Sequence, residues 1–314
     1  MIQKIPLGNT DAMVSELSLG AMYFGSKMDE KASTEVLESY VGHGGSFIDT
    51  ANIYARWIEG CNGLESEAFL GRWFQKTGKR AEMFVATKVG FDNVEVGFGL
   101  GREQIIKSCE ASLQLMKTDY IDLMYAHTDD RETPLEETME AFAQLHRAGK
   151  VRYLGASNYV PWRLEKAKAI CQREGWPQYA CMQQRLTYLR PVPVPLDRYH
   201  TEVSDDVMDY AEVENLTILA YSPLMGGYYN HQKERQVPAL YDGDFNRKRL
   251  QALNEVVKEI EGITPNQLVL AWMRQQAAPV IPLISGSRKA QLEENIKCLD
   301  YRLSAEQLDK LNNA

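Results

Sequence analysis

A (β/α)8 TIM barrel preceded by an N-terminal β-hairpin is the fold the sequence predicts, on three observations. Short apolar runs and amphipathic helical stretches alternate eight times along the 314 residues, and eight parallel strands joined by helical crossovers close into a barrel. No Gly-x-Gly-x-x-Gly follows the first run, which disfavours an open doubly wound sheet. No linker divides the chain, so residues 1–314 are expected to form a single domain.

Residues 1–18 read as two short strands around the turn Gly8-Asn9-Thr10-Asp11. The apolar runs are Leu17–Ala21, Phe47–Ala51, Met83–Val89, Tyr120–Ala126, Val151–Ala156, Ala180–Gln184, Leu216–Tyr221 and Pro279–Ile284. Between them, Glu30–Gly42 ends at the glycine-rich His43-Gly44-Gly45, and Glu65–Gln75 carries Leu64, Ala68, Phe69 and Trp73 at helical spacing. Arg102–Met116 places Ile105, Ile106, Cys109, Leu113 and Met116 on one stripe. Pro134–Ala148 opens with a proline, whose fixed φ suits a first turn. Trp162–Glu174, Val203–Glu214, Pro265–Gln276 and Arg288–Lys297 complete the helices.

Two connections exceed ordinary length: Arg190–Thr201, stiffened by Pro191, Pro193 and Pro195, and Gly226–Asp244, with Tyr228, Tyr229, His231 and Tyr241. Both follow strands and are expected over the site end of the barrel, as a substrate wall and a cofactor-covering lid. The cluster Gly97-Phe98-Gly99-Leu100-Gly101 reads as a mobile loop leading into a helix.

A net charge of −8 argues against a nucleic-acid partner, while leaving room for a local basic pocket. Five cysteines without a CxxC pair predict free thiols in a reducing compartment. Five histidines, none grouped as HxH or HExxH, give no reason to expect a metal site. Without an apolar leader after Met1 or a run of transmembrane length, a cytoplasmic protein with no membrane partner is expected.

In such a barrel the carboxyl ends of all strands meet at one rim. This chain places there Asp49 and, just after it, Tyr54; then Lys88, His127, Ser157 and Asn158, Gln183, Tyr221 and Ser222, and Ser285. Each has a structural reading: Asp49 could cap a turn, Asn158 could cap the helix before Pro161, and a lone histidine is most often a satisfied core residue. The fold, however, would bring Asp49, Tyr54, Lys88 and His127 together. A free tyrosine titrates near pH ~10. A lysine ammonium within hydrogen-bond reach favours the tyrosinate and lowers that value, and Asp49 would hold Lys88 charged. His127 could orient a carbonyl or relay a proton. Tyr54 could then protonate a carbonyl oxygen as hydride arrives at carbon. No side chain supplies hydride, so a reduced nicotinamide is implied.

The last loop, Ser285-Gly286-Ser287-Arg288-Lys289, leads into a helix carrying Gln291, Glu294 and Asn295. Arg288, Gln291 and Asn295 share one helical face, and Ser287 is placed to cap a helix N-terminus, which attracts anions. A guanidinium there suits the 2′-phosphate of NADPH, with NADH as an alternative donor.

Five motifs carry a resemblance. They are Phe47-Ile48-Asp49-Thr50-Ala51-Asn52-Ile53-Tyr54, Ala86-Thr87-Lys88-Val89-Gly90 and Asp119-Tyr120-Ile121-Asp122-Leu123 followed by His127. Gly149-Lys150-Val151-Arg152-Tyr153-Leu154-Gly155-Ala156-Ser157-Asn158 and Ala220-Tyr221-Ser222-Pro223-Leu224 complete the set. In this order the chain resembles the aldo-keto reductase superfamily along essentially its whole length. The resemblance implies the barrel, a nicotinamide cofactor, a small-molecule carbonyl substrate and a catalytic tetrad of Asp49, Tyr54, Lys88 and His127. It implies that Ser157, Asn158 and Gln183 hold the carboxamide and that Tyr221 stacks on the ring. The backbone of Ser222, Pro223, Leu224 and Gly226 would follow the pyrophosphate.

The chain departs from many relatives at residues 55–63, a longer link that is expected to bring Arg56 and Trp57 to the substrate, and at Ser285, where glycine is common. Met22, Tyr23 and Phe24 offer an apolar wall, while Arg56, Asn93 and the late-loop tyrosines suit a sugar-like carbonyl. The activity expected is NADPH-dependent reduction of an aldehyde or ketone. The alternative is a nicotinamide-binding regulatory module with little turnover, as in the potassium-channel β-subunits of that superfamily.

Overall fold

A computed structural model describes residues 1–94, 96–193 and 200–314. The chain opens on a hairpin in which β1 (Lys4–Pro6) pairs antiparallel with β2 (Met13–Ser15). Its turn is anchored by the Gly8 N–H, 2.8 Å from Thr217 Oγ1. Leu7 and Val14 are buried against Phe47, Leu123 and Ile281. The hairpin therefore seals the end at which the barrel strands begin, and leaves the opposite end to the site.

Eight parallel strands close the barrel: β3 (Ser18–Gly20), β4 (Phe47–Asp49), β5 (Phe84–Val89), β6 (Ile121–Ala126), β7 (Val151–Ser157), β8 (Tyr179–Arg185), β9 (Thr217–Tyr221) and β10 (Val280–Ile284), with β10 returning to pair with β3. Each expected run became a strand. β7 and β8 reach one residue further than their apolar runs, because ladder hydrogen bonds continue past the last apolar side chain.

The helices are α1 (Glu30–Gly42), α2 (Glu65–Thr77), α3 (Arg102–Met116), α4 (Leu135–Arg147), α5 (Pro161–Glu174), α6 (Asp205–Val213), α7 (Asp244–Glu259), α8 (Pro265–Met273), α9 (Lys289–Ile296) and α10 (Ala305–Asn312). Two of them, α7 and α10, were not expected. Pro134 caps α4 from outside rather than opening its first turn. Arg288, not Ser287, occupies the N-cap of α9, with extended backbone and no side-chain cap bond.

The late loop also differs from expectation. Tyr228, Tyr229 and Tyr241 are buried, and the Tyr229 hydroxyl accepts the Tyr188 and Leu189 N–H groups at 3.0 and 3.2 Å. These rings pack the loop onto the barrel instead of presenting polar groups at a mouth. Of the proline-rich loop, Val192 N–H reaches Leu240 O at 2.8 Å, whereas Pro195 lies outside the described residues. Among the described residues no helix is long and apolar enough to cross a membrane.

Candidate active site

Register brings the central residues together. Asp49 ends β4 opposite Ala86 of β5, so Lys88, one pleat period along β5, shares its inward face. Lys88 is fully buried, and its ammonium has three donors and three acceptors: Asp49 Oδ1 at 2.5 Å, Tyr54 Oη at 2.6 Å and Thr50 O at 2.7 Å. The Tyr54 hydroxyl donates in turn to Asp49 Oδ1 at 3.1 Å, and Gln183 Nε2 donates to Asp49 Oδ2 at 2.7 Å. Both carboxylate oxygens are thus engaged, which is what a buried charge requires. Below, the Tyr125 ring lies 5.7 Å from Lys88 Nζ. It fits because β7 carries glycine at the facing position: a Cβ at Gly155 would meet that ring at 2.4 Å.

The electrostatics differ in one respect from the two-body expectation. Burial, and then the charge of Asp49 and its hydrogen bond, hold the Tyr54 phenol well above its ordinary range. Burial also lowers Lys88, with Asp49 opposing that shift. The lysine does not turn Tyr54 into a tyrosinate here, because desolvation and a neighbouring carboxylate both favour the neutral phenol. His127 follows β6, fixed by its N–H to Val89 O at 2.8 Å. Its ring meets Tyr54 edge-on at 6.1 Å and Phe91 at 4.7 Å, and its Nδ1 is buried without a partner among the described residues. Burial first, then Lys88 and His200, push its pKa well below the usual value, so the imidazole is neutral. The cluster offers a protonated phenol backed by a cation, next to a neutral imidazole.

Tyr54 and His127 stand on the wall of a cavity of about 1430 Å³, larger than a drug-sized pocket of about 300–1,000 Å³. One half has the features a dinucleotide needs. Ser222, Met225, Gly226 and Gly227 have positive φ, and the Leu224 and Gly226 N–H groups find no acceptor among the described residues. The Met225 N–H between them is taken by Ser222 O at 3.2 Å, so two alternate amides remain for an anion in this turn. Ser157, Asn158, Gln183, Tyr221, Ser222, Pro223, Leu224, Gly226, Ser285, Gly286, Ser287, Gln291, Glu294 and Asn295 all line this cavity. Asn295 Nδ2 holds Ser285 O at 2.9 Å, and Gln291 Oε1 accepts from the Ser287 hydroxyl at 2.8 Å. Asn158 is spent on its own chain, donating to His127 O at 2.9 Å and accepting from Tyr221 Oη at 2.9 Å. Arg288 is exposed and lies outside the cavity lining.

The other half is aromatic: Tyr23, Tyr54, Trp57, Phe91 and Phe98 line it together with Met22. Phe24, by contrast, belongs to the core, packed on Phe69 with ring centroids 5.4 Å apart. Arg56 is not among the residues lining the cavity, although its guanidinium pairs at 2.7 Å with Oδ2 of Asp92, which is. Asn93 is buried and donates to Asn52 O. Sequence reasoning missed Phe91, Phe98 and Arg185. Only Arg185 had a signal, since it lies two residues beyond Gln183 and the strand period returns it to the same face.

Comparison with known proteins agrees with this geometry. The family model described as Aldo/keto reductase family matches residues 16–314. YrpG of Bacillus subtilis, an uncharacterised oxidoreductase, is 31% identical over 98% of this chain and 94% of its own length. The aldo-keto reductase yakc [NADP(+)] of Schizosaccharomyces pombe is 33% identical over 95% and 86%. An aryl-alcohol dehydrogenase [NADP(+)] of Phanerodontia chrysosporium is 28% identical over 96% and 82%. With a closed (β/α)8 barrel and a match over nearly its whole length, this chain belongs to the aldo/keto reductase family, whose members are NAD(P)H-dependent oxidoreductases acting on carbonyl groups.

Proposed function

We propose that this chain reduces aromatic aldehydes or ketones to alcohols with NADPH as the preferred donor, and that Tyr54 supplies the proton. The observation that carries the reading is the Tyr54 phenol, kept protonated by burial on the cavity wall with Lys88 Nζ at 2.6 Å behind it. When bound, the nicotinamide supplies hydride to the carbonyl carbon. Tyr54 gives its proton to the carbonyl oxygen, and Lys88 stabilises the phenolate that remains. Asp49 and Thr50 fix the lysine, while the neutral His127 presents one N–H to orient the carbonyl. The free amides of Leu224 and Gly226 suit the pyrophosphate, and Ser287 and Gln291 on the cavity wall, with the exposed Arg288 beside them, would hold the 2′-phosphate.

The aromatic lining favours a planar substrate over a sugar-like one, since Arg56 is neutralised by Asp92 at the cavity edge, and Asn93 and the late-loop tyrosines that suggested a sugar are buried. The aryl-alcohol dehydrogenase name of one relative supports the same class. Tyr54→Phe tests the proposal. It should lower kcat for benzaldehyde reduction by ~10²–10⁴-fold, the usual worth of a positioned acid, with NADPH affinity by fluorescence titration near wild type. Unchanged turnover would remove Tyr54 from the mechanism.

A further inference from the structure

Past Gln183, β8 continues for two residues, and the pleat returns Arg185 to the face that Gln183 uses. Gln183 touches Asp49 at 2.7 Å, so the Arg185 backbone stands one pleat period, about 6.6 Å along the strand, above the site floor. That backbone is fixed, its N–H donating to Thr201 O at 3.1 Å and its carbonyl accepting from Val203 N–H at 2.8 Å. The side chain is half-buried, lines the cavity, and sets its guanidinium carbon 5.6 Å from the centre of the Tyr221 ring.

Its countercharge is a shared one. Glu202 Oε1 lies 3.3 Å from Arg185 Nη1 and also accepts the Tyr241 hydroxyl at 3.1 Å, and burial raises the Glu202 carboxyl above its ordinary range. Among the described residues, this long contact and a hydrogen bond to the Tyr221 hydroxyl leave other donors of the five-donor fork open. Other cations of the cavity are differently occupied: Lys27 lies over the Tyr23 ring at 5.3 Å, and Arg235 donates to Gly226 O at 3.0 Å.

We infer that Arg185 binds a carboxylate on the carbonyl substrate, making this enzyme selective for aromatic aldehydes that carry an acidic group across the ring from the reacting carbon. The inference rests on the aromatic-carbonyl reading above and deepens it. A guanidinium matches a carboxylate in a two-pronged arrangement that an ammonium cannot make, and hydrogen bonds to charged groups are worth about 1.5–3 kcal/mol, about 10- to 100-fold in affinity.

The test compares 4-carboxybenzaldehyde with its methyl ester in the NADPH holoenzyme. The kcat/KM ratio of acid to ester should fall about 10- to 100-fold in Arg185→Gln and be only partly restored in Arg185→Lys, which keeps the charge but not the two-pronged contact. The double variant Arg185→Gln/Glu202→Gln removes both charges, so an effect of stranding Glu202 is separated from loss of the anion site; it should show the same fall. Benzoate binding to the NADP⁺ complex, followed by tryptophan fluorescence, should weaken by the same factor and needs no turnover. An unchanged acid-to-ester ratio, or unchanged benzoate affinity, overturns the carboxylate assignment. So does a loss that falls on NADPH affinity instead, which would place Arg185 on the cofactor phosphates. Wild-type inactivity on both aldehydes with benzoate still bound through Arg185 would overturn the reductase reading alone.

Discussion

Asp49→Asn isolates the charge at the centre of the site, because it keeps the shape and removes the negative charge. Lys88 would keep Thr50 O and Tyr54 Oη as acceptors, but its fully buried ammonium would lose its counter-ion. Breaking one side of a buried pair costs about 3–5 kcal/mol. The lysine can instead release its proton, which limits the loss: from a reference pKa of about 10.4 to pH 7 is about 3.4 units, and at 1.36 kcal/mol per unit the ceiling is about 4.6 kcal/mol. The sign of the pH dependence then follows. A lysine whose folded pKa lies below its unfolded one binds fewer protons when folded, so stability rises with pH up to the unfolded value. At pH 9.5 the same ceiling is about 1.2 kcal/mol. Urea unfolding of wild type and variant at both values should show a deficit of about 3–4.6 kcal/mol at pH 7 that shrinks severalfold at pH 9.5. A deficit below about 1 kcal/mol at pH 7, or one that does not change with pH, would refute the claim that Asp49 is there to hold a buried ammonium.

Other expectations concern pH and the cavity mouth. Tyr54 is held above its ordinary range and His127 below its own, so neither changes charge near neutrality. The kcat/KM for reduction should therefore be flat from about pH 6 to about pH 8 and fall on the alkaline side below the ordinary lysine value of about 10.4, as Lys88 loses its proton. A loss of activity centred near pH ~6.5 would mean that His127 titrates after all. Trp57, 61% exposed on the cavity rim, should act on ring-bearing substrates. Trp57→Ala is expected to lower kcat/KM for benzaldehyde about 2- to 12-fold relative to propanal, the range of an aromatic contact. Arg56→Ala should change either substrate by less than about fivefold, since its pair with Asp92 is a surface one; a selective loss on one substrate would return Arg56 to the substrate wall.

Much of the barrel was legible because its parallel strands are buried on both faces and appear as continuous apolar runs, and because the strand ends are where polar groups gather. Asp49, Lys88 and His127 could be placed by that logic alone, and the hydrogen bonds among Asp49, Lys88 and Tyr54 are the result. What failed was local. The stretch Asp244–Glu259 is rich in charge and lies between a strand and its regular crossover helix, so a rule of one helix per strand passed over it. The tyrosines 228, 229 and 241 are polar in composition, yet their rings fill apolar space under a long loop, which composition cannot reveal. Arg56 was placed by its distance from Tyr54 in sequence, but Ala55 between them takes a positive φ of 71°, and the side chain is held by Asp92 at the cavity edge without lining the cavity itself. Arg185 was legible in principle from strand period and was lost because the apolar run stops one residue before it.

Burial and Asp49 override the effect of Lys88 on Tyr54, and this bears on the pH dependence of the two directions. Lys88 beside Tyr54, taken as a pair, lowers the phenol pKa; within the fold, the water that would solvate a phenolate is gone and Asp49 lies 3.1 Å from the hydroxyl oxygen. Lys88 has already committed its charge to Asp49 at 2.5 Å, so little of it is free to stabilise a second anion until the proton has left. Such a site holds its acid loaded. Proton donation to a carbonyl moves the pair toward a phenolate only when the developing alkoxide accepts the proton in return. The reverse reaction must begin from the phenolate, a state that burial and Asp49 both oppose. In the proposed reaction, reduction would start from the form of Tyr54 present near neutrality, and the rate of alcohol oxidation is expected to rise with pH, which a pH profile of both directions checks.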